Sequence, residues 1–187
     1  MTASPRTRTF QFEAPWQWFP PIGETRSLLL GLHGMAQDGS RLLQKREFLR
    51  QQGVGLILPS GPYPMEVRGR SGVRQGHAWY IFTGDQPAFR ASMEKSESDL
   101  LGLIQIVREE IRNPDVPLDL LGFSQGGYLA GFLHLAGHRK HRLVCVPPPA
   151  GPAARPQIQH LGQASHFRLC LERANGHGLS PFCYPTR

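Results

Sequence analysis

The sequence predicts an α/β fold, with a mostly parallel sheet covered by helices on both faces. Two observations point there. Short apolar runs, as expected of strands buried on both sides, occur at residues 26–33, 54–58 and 116–121. Helical patterns stand between and after them, and strand–helix–strand–helix order implies parallel strands joined by crossovers.

The elements follow in order. Residues 7–12 (Thr-Arg-Thr-Phe-Gln-Phe) alternate loosely and read as an opening strand. Residues 26–33 (Arg-Ser-Leu-Leu-Leu-Gly-Leu-His) read as a buried strand. Residues 40–52 carry Leu42, Leu43 and Leu49 among Arg, Lys and Gln, the pattern of a surface helix. A second buried strand at 54–58 is closed by Pro59-Ser-Gly-Pro62, a loop signal. From Ser96 to Arg112 the apolar residues Leu100, Leu103, Ile104, Val107 and Ile111 keep helical spacing. Ser96 with Asp99 matches a capping box, Ser92 is an alternative start, and Asn113-Pro114 ends the helix. A strand at 116–121, the turn Gly122-Phe-Ser-Gln-Gly-Gly127, a helix over 128–136 and a strand at 142–146 complete this pattern.

The pattern then stops. Residues 147–156 hold five prolines, which neither continue a sheet nor start a helix cleanly. Only seven of the 41 residues from 147 to 187 are Leu, Ile, Val or Phe, and Asp is absent. Residues 1–146 are therefore expected to form the folded domain, and 147–187 a Pro-, Arg- and His-rich, poorly ordered tail. Charge divides similarly: residues 138–187 carry seven basic side chains against Glu172, and so most of the net +7. The body is nearly neutral, which argues against nucleic acid as a partner. A lost reading frame near Val146 in a GC-rich gene, or a truncated and diverged one, would account for both halves.

Three cysteines with no Cys-x-x-Cys pair exclude a disulfide scaffold and make a reducing cytoplasm the expected location. No apolar run approaches the ~20 residues a membrane-spanning helix needs, and no secretory signal is visible. The histidines and cysteines from Cys145 to Cys183 match no zinc template, so no metal site is expected.

The motif that carries chemistry is Gly122-Phe123-Ser124-Gln125-Gly126, a G-x-S-x-G between an expected strand and an expected helix. Such a turn lifts the serine hydroxyl above the sheet edge and aims the helix N-terminus at an oxyanion forming there. A second turn, His33-Gly34-Met35-Ala-Gln-Asp-Gly39, ends the strand at 26–33. The expected oxyanion donors are the backbone amides of Met35 and Gln125, with Ser124 as nucleophile. His33 is expected to hold its loop by hydrogen bonds rather than to catalyse.

These two motifs, with Leu56-Ile-Leu-Pro-Ser-Gly-Pro62 and His77-Ala-Trp-Tyr80 between them, resemble the phospholipase/carboxylesterase family of α/β-hydrolases, which includes acyl-protein thioesterases. The likeness runs from about Ser27 to Ala136. It implies a three-layer α/β-hydrolase sheet and a Ser-Asp-His triad acting on small carboxylic esters or thioesters, without a cofactor. Trp79 and Tyr80 match the family's aromatic pair beside the pocket, and read equally well as core packing. The chain departs from the family after Ser124. No aspartate follows, the last strands are missing, and Glu172 and His177 stand in the required order with only four residues between them. No acid or base is assigned, and the alternative is a non-catalytic hydrolase remnant.

Overall fold

The computed structural model describes residues 13–43, 46–70, 72–135 and 142–146. In chain order the elements are β1 (Trp16–Phe19), β2 (Ser27–Leu32), α1 (Arg46–Gln51), β3 (Val54–Pro59), β4 (Tyr63–Gly69), β5 (Gly72–Ala78), α2 (Gln86–Glu110), β6 (Leu118–Phe123), α3 (Gln125–Leu135) and β7 (Arg142–Val146). Five strands form one sheet in the order β1-β3-β2-β6-β7. Its neighbours run parallel except β1, which pairs antiparallel with β3 at one edge. The α/β class with a mainly parallel sheet is thus borne out.

Register decides which side chains share a face. Leu28 and Leu30 of β2 stand beside Leu118 and Leu120 of β6, and Leu30 stands beside Ile57 of β3. All five are buried, and they join Met93, Leu100, Ile104 and Val107 of α2 with Leu129, Ala130 and Leu133 of α3 in one core. Burying a leucine is worth about 1.5–3 kcal/mol, so this stripe is the main source of stability. The opposite face receives the segment leading into α1: a Cβ on Gly31 would lie 2.6 Å from the Leu42 side chain.

The strands at 26–33, 54–58, 116–121 and 142–146 form as expected, each within two residues of its predicted bounds. Five features differ. The surface helix is shorter: Asp38 accepts from the Ser40 amide and caps a 3-10 turn at Gly39–Arg41, and α1 covers only Arg46–Gln51. Helix α2 begins ten residues before Ser96. Asp85 caps it by accepting from the Ala88 amide, and Pro87 occupies the first turn, where no donor is needed. Ser96 is instead fully buried on the core stripe, its hydroxyl donating to the Trp79 carbonyl. Helix α3 starts directly after Ser124 rather than at Tyr128. The antiparallel β4–β5 hairpin and strand β1 were not predicted. The strand expected at residues 7–12 and the tail at 147–187 lie outside the described residues.

Candidate active site

Ser124 sits at the carboxyl end of β6, where the chain turns straight into α3. Its φ is +50°, in the left-handed region that costs most side chains roughly 1–2 kcal/mol. The flanking glycines make this turn possible. A Cβ on Gly122 would lie 2.4 Å from the Gly126 carbonyl oxygen, and one on Gly126 would lie 2.2 Å from that of Leu32. The backbone of the turn is therefore packed against the end of β2. The amides of Gly127 and Tyr128 bond the Ser124 carbonyl at 2.9 and 3.3 Å. The Gln125 amide falls in the first turn of α3, where no intrahelical acceptor exists.

The second turn follows β2. The Gly34 amide donates to Gln37 Oε1 at 3.1 Å, and the Gln37 amide to the Gly34 carbonyl at 3.2 Å. Ala36 between them has φ +66°. Met35 lies at the apex with its side chain exposed. Close approach ties this turn to the serine turn, since a Cβ on Gly34 would lie 2.8 Å from the Phe123 ring. Met35 and Gln125 are thus carried by adjacent turns at the ends of neighbouring parallel strands.

His33 is fully buried. Its Nε2 accepts the Gly61 amide at 3.0 Å, which leaves Nδ1–H to donate to the Gly34 carbonyl at 2.7 Å. Burial, the largest cause, with repulsion from His77 adding to it, pushes its pKa down from 6.5 to about 4, against the Gly34 hydrogen bond and Asp38, which raise it. A neutral ring engaged at both nitrogens is a loop-holding group, as expected. Trp79 is also buried, its ring 4.7 Å from that of His33 and its Nε1–H donating to the His33 carbonyl at 2.8 Å. Tyr80 is half-buried beside Phe89, ring centroids 5.1 Å apart, and burial raises its hydroxyl pKa, with Tyr128 adding to the shift.

Sequence reasoning missed the Gln125 side chain. Its Oε1 accepts the Trp79 amide at 2.9 Å and its Nε2 donates to the Tyr80 carbonyl at 3.1 Å. It also missed His77, buried, whose Nδ1–H donates to the Gly61 carbonyl at 2.9 Å. The run His77-Ala-Trp-Tyr80 was the available signal, but these bonds join residues 16 to 46 positions apart. Glu172 and His177 lie outside the described residues.

A mainly parallel sheet in which an inner strand ends in a left-handed serine at the head of a helix, beside a glycine turn from the neighbouring central strand, defines an α/β-hydrolase. The model of the serine hydrolase (FSH1) family matches residues 24–169, most of the chain and beyond Val146 into the proline-rich segment. The chain belongs to that family of serine hydrolases, and the resemblance to the phospholipase/carboxylesterase α/β-hydrolases is borne out with it. No curated protein matches it. Among solved structures it is similar to the carboxylesterase of Bacillus cereus, at 14% identity and TM-score 0.55, covering 76% of this chain and 64% of that one. It is also similar to a carboxylesterase from Mesorhizobium loti, at 20% and 0.52, covering 72% and 62%. YahD, solved with malic acid, gives 15% and 0.53, covering 71% and 63%. At these identities the likeness is one of fold, and the chain spans less than two thirds of each structure. Among the described residues, no helix is long and apolar enough to cross a membrane.

Proposed function

We propose that the protein hydrolyses carboxylic esters or thioesters through Ser124, with the Met35 and Gln125 amides stabilising the oxyanion. The observation that carries this reading is Ser124 at φ +50°, joining β6 to α3 with Gly126 packed on the end of β2. Ser124 Oγ would attack the carbonyl carbon and lose its proton to a base. The negative charge gathered on the carbonyl oxygen meets two backbone donors and the positive end of α3. Collapse of this intermediate, with the proton passing from the base to the leaving group, releases the alcohol or thiol and leaves an acyl-serine, which water then hydrolyses to the free acid and Ser124. No cofactor is needed for these steps, and the low cysteine content fits a reducing cytoplasm.

The composition break at Val146 favours a second reading, a hydrolase scaffold whose triad is incomplete and whose activity is lost. One experiment separates the two. A fluorophosphonate labels only an activated serine, so covalent labelling lost in Ser124→Ala, together with loss of ester turnover, supports the enzyme. A folded wild-type chain that takes no label supports the remnant. Equal turnover by Ser124→Ala would remove Ser124 from the chemistry.

A further inference from the structure

The two histidines of this region meet at one residue, Gly61, and bond the peptide groups on either side of its Cα. Gly61 gives its amide hydrogen to His33 Nε2 at 3.0 Å and receives His77 Nδ1–H on its carbonyl at 2.9 Å. Each imidazole is linked in turn to a different flank of Met35. On one side, His33 Nδ1–H holds the Gly34 carbonyl at 2.7 Å. On the other, the His77 carbonyl takes the Ala36 amide at 2.9 Å, and the His77 amide bonds the Gln37 carbonyl at 2.8 Å. The anchor itself has little freedom: a Cβ on Gly61 would lie 2.3 Å from the Ala78 carbonyl oxygen. Gly76, beside His77, is equally close, since its Cβ would lie 2.5 Å from the Ala36 carbonyl oxygen. Ala36 at φ +66° needs such support, because a left-handed alanine relaxes unless its neighbours hold it.

We infer that His77 is a positioning residue: by anchoring its ring on the Gly61 carbonyl it holds the strained turn that presents the Met35 amide. The two bonds to Ala36 and Gln37 run from the His77 main chain, so the imidazole acts through it: without the bond to the Gly61 carbonyl, the backbone that holds this side of the turn loses its anchor. An oxyanion donor works by being in place before charge develops, and a displaced amide loses that advantage while substrate binding elsewhere is unaffected. The inference rests on the reading of Met35 as an oxyanion donor, and the test separates the two.

The experiment compares full-length wild type, His77→Ala and His77→Asn, whose amide nitrogen can reach the place of Nδ1–H. Hydrogen exchange and amide chemical shifts are read at Met35, Ala36 and Gln37, with the amides of α2 as the control for folding. Expected for His77→Ala is exchange at Ala36 faster by about tenfold or more and a shifted Met35 amide, with α2 unchanged. With an ester substrate, kcat falls by about tenfold or more while KM stays within about twofold, and His77→Asn recovers most of the loss. Unchanged exchange and shifts at residues 35–37 in a folded His77→Ala would overturn the inference, as would an equal rise in KM. A loosened turn with no change in kcat would uphold the anchoring and remove Met35 from the oxyanion site.

Discussion

Acidification should test the buried His33 most directly. In the folded chain its ring is neutral, because burial disfavours the charged form and Nε2 is occupied by the Gly61 amide hydrogen. Protonation would put a second N–H where an acceptor is required. The folded value of about 4 lies below the ordinary 6.5, so the unfolded chain binds the proton first as pH falls. The sign follows: this contribution to stability is complete above pH 6.5, declines through the window from 6.5 to 4, and is gone below it. Each pH unit in that window is worth about 1.4 kcal/mol, so His33 alone removes roughly 3 kcal/mol by pH 4. For a domain stable by about 5–15 kcal/mol that is a large share. Urea unfolding of wild type and His33→Gln at half-unit steps from pH 7.5 to 4 measures it. Glutamine can still accept the Gly61 amide hydrogen but cannot titrate, so the variant should show a flatter dependence. Equal slopes in the two proteins, or a His33 ring that titrates near 6.5 by NMR in the folded state, would refute the reasoning.

Two further perturbations follow from the backbone. Gly126→Ala should abolish ester turnover and cost a few kcal/mol in urea unfolding, because the new Cβ would press on the Leu32 carbonyl at 2.2 Å. Full activity in that variant would mean that the serine turn is not packed against β2. Asp85→Ala should lower stability by about 1 kcal/mol with kcat unchanged, since it removes only the cap at the Ala88 amide. Thermal unfolding and a standard ester assay check both parts.

How far the sequence revealed the fold depended on burial. Strands β2, β3 and β6 were legible because helices cover the sheet, which makes their sequences apolar runs. The β4–β5 hairpin was not: Tyr63, Met65 and Val67 do alternate with Pro64, Glu66 and Arg68, but a proline inside the run weakens the strand signal and the partner β5 (Gly-Val-Arg-Gln-Gly-His-Ala) has no alternation of its own. The first turn of α2 is exposed and carries a proline and a small residue in place of a core-facing stripe, so the apolar periodicity began only further along the helix. Asp85-Gln86-Pro87 was the overlooked start signal. At the candidate site, the serine and glycine turns could be found because each motif is contiguous. The Gln125 side chain and His77 could not, because their acceptors and donors come from distant segments.

Those distant bonds bear on the order in which the molecule assembles. Gln125 joins Trp79 and Tyr80 across 46 and 45 positions, and Gly61 joins His33 across 28. Contacts of such separation carry a loop-closure cost that is repaid only once the intervening strands and helix are in place. On refolding, then, secondary structure should return before the two turns lock together, and Ser124 should regain its left-handed backbone among the last events. A chain caught partway would be collapsed and helical with its serine turn unformed, so that the left-handed backbone of Ser124 reports completion of the fold rather than its beginning.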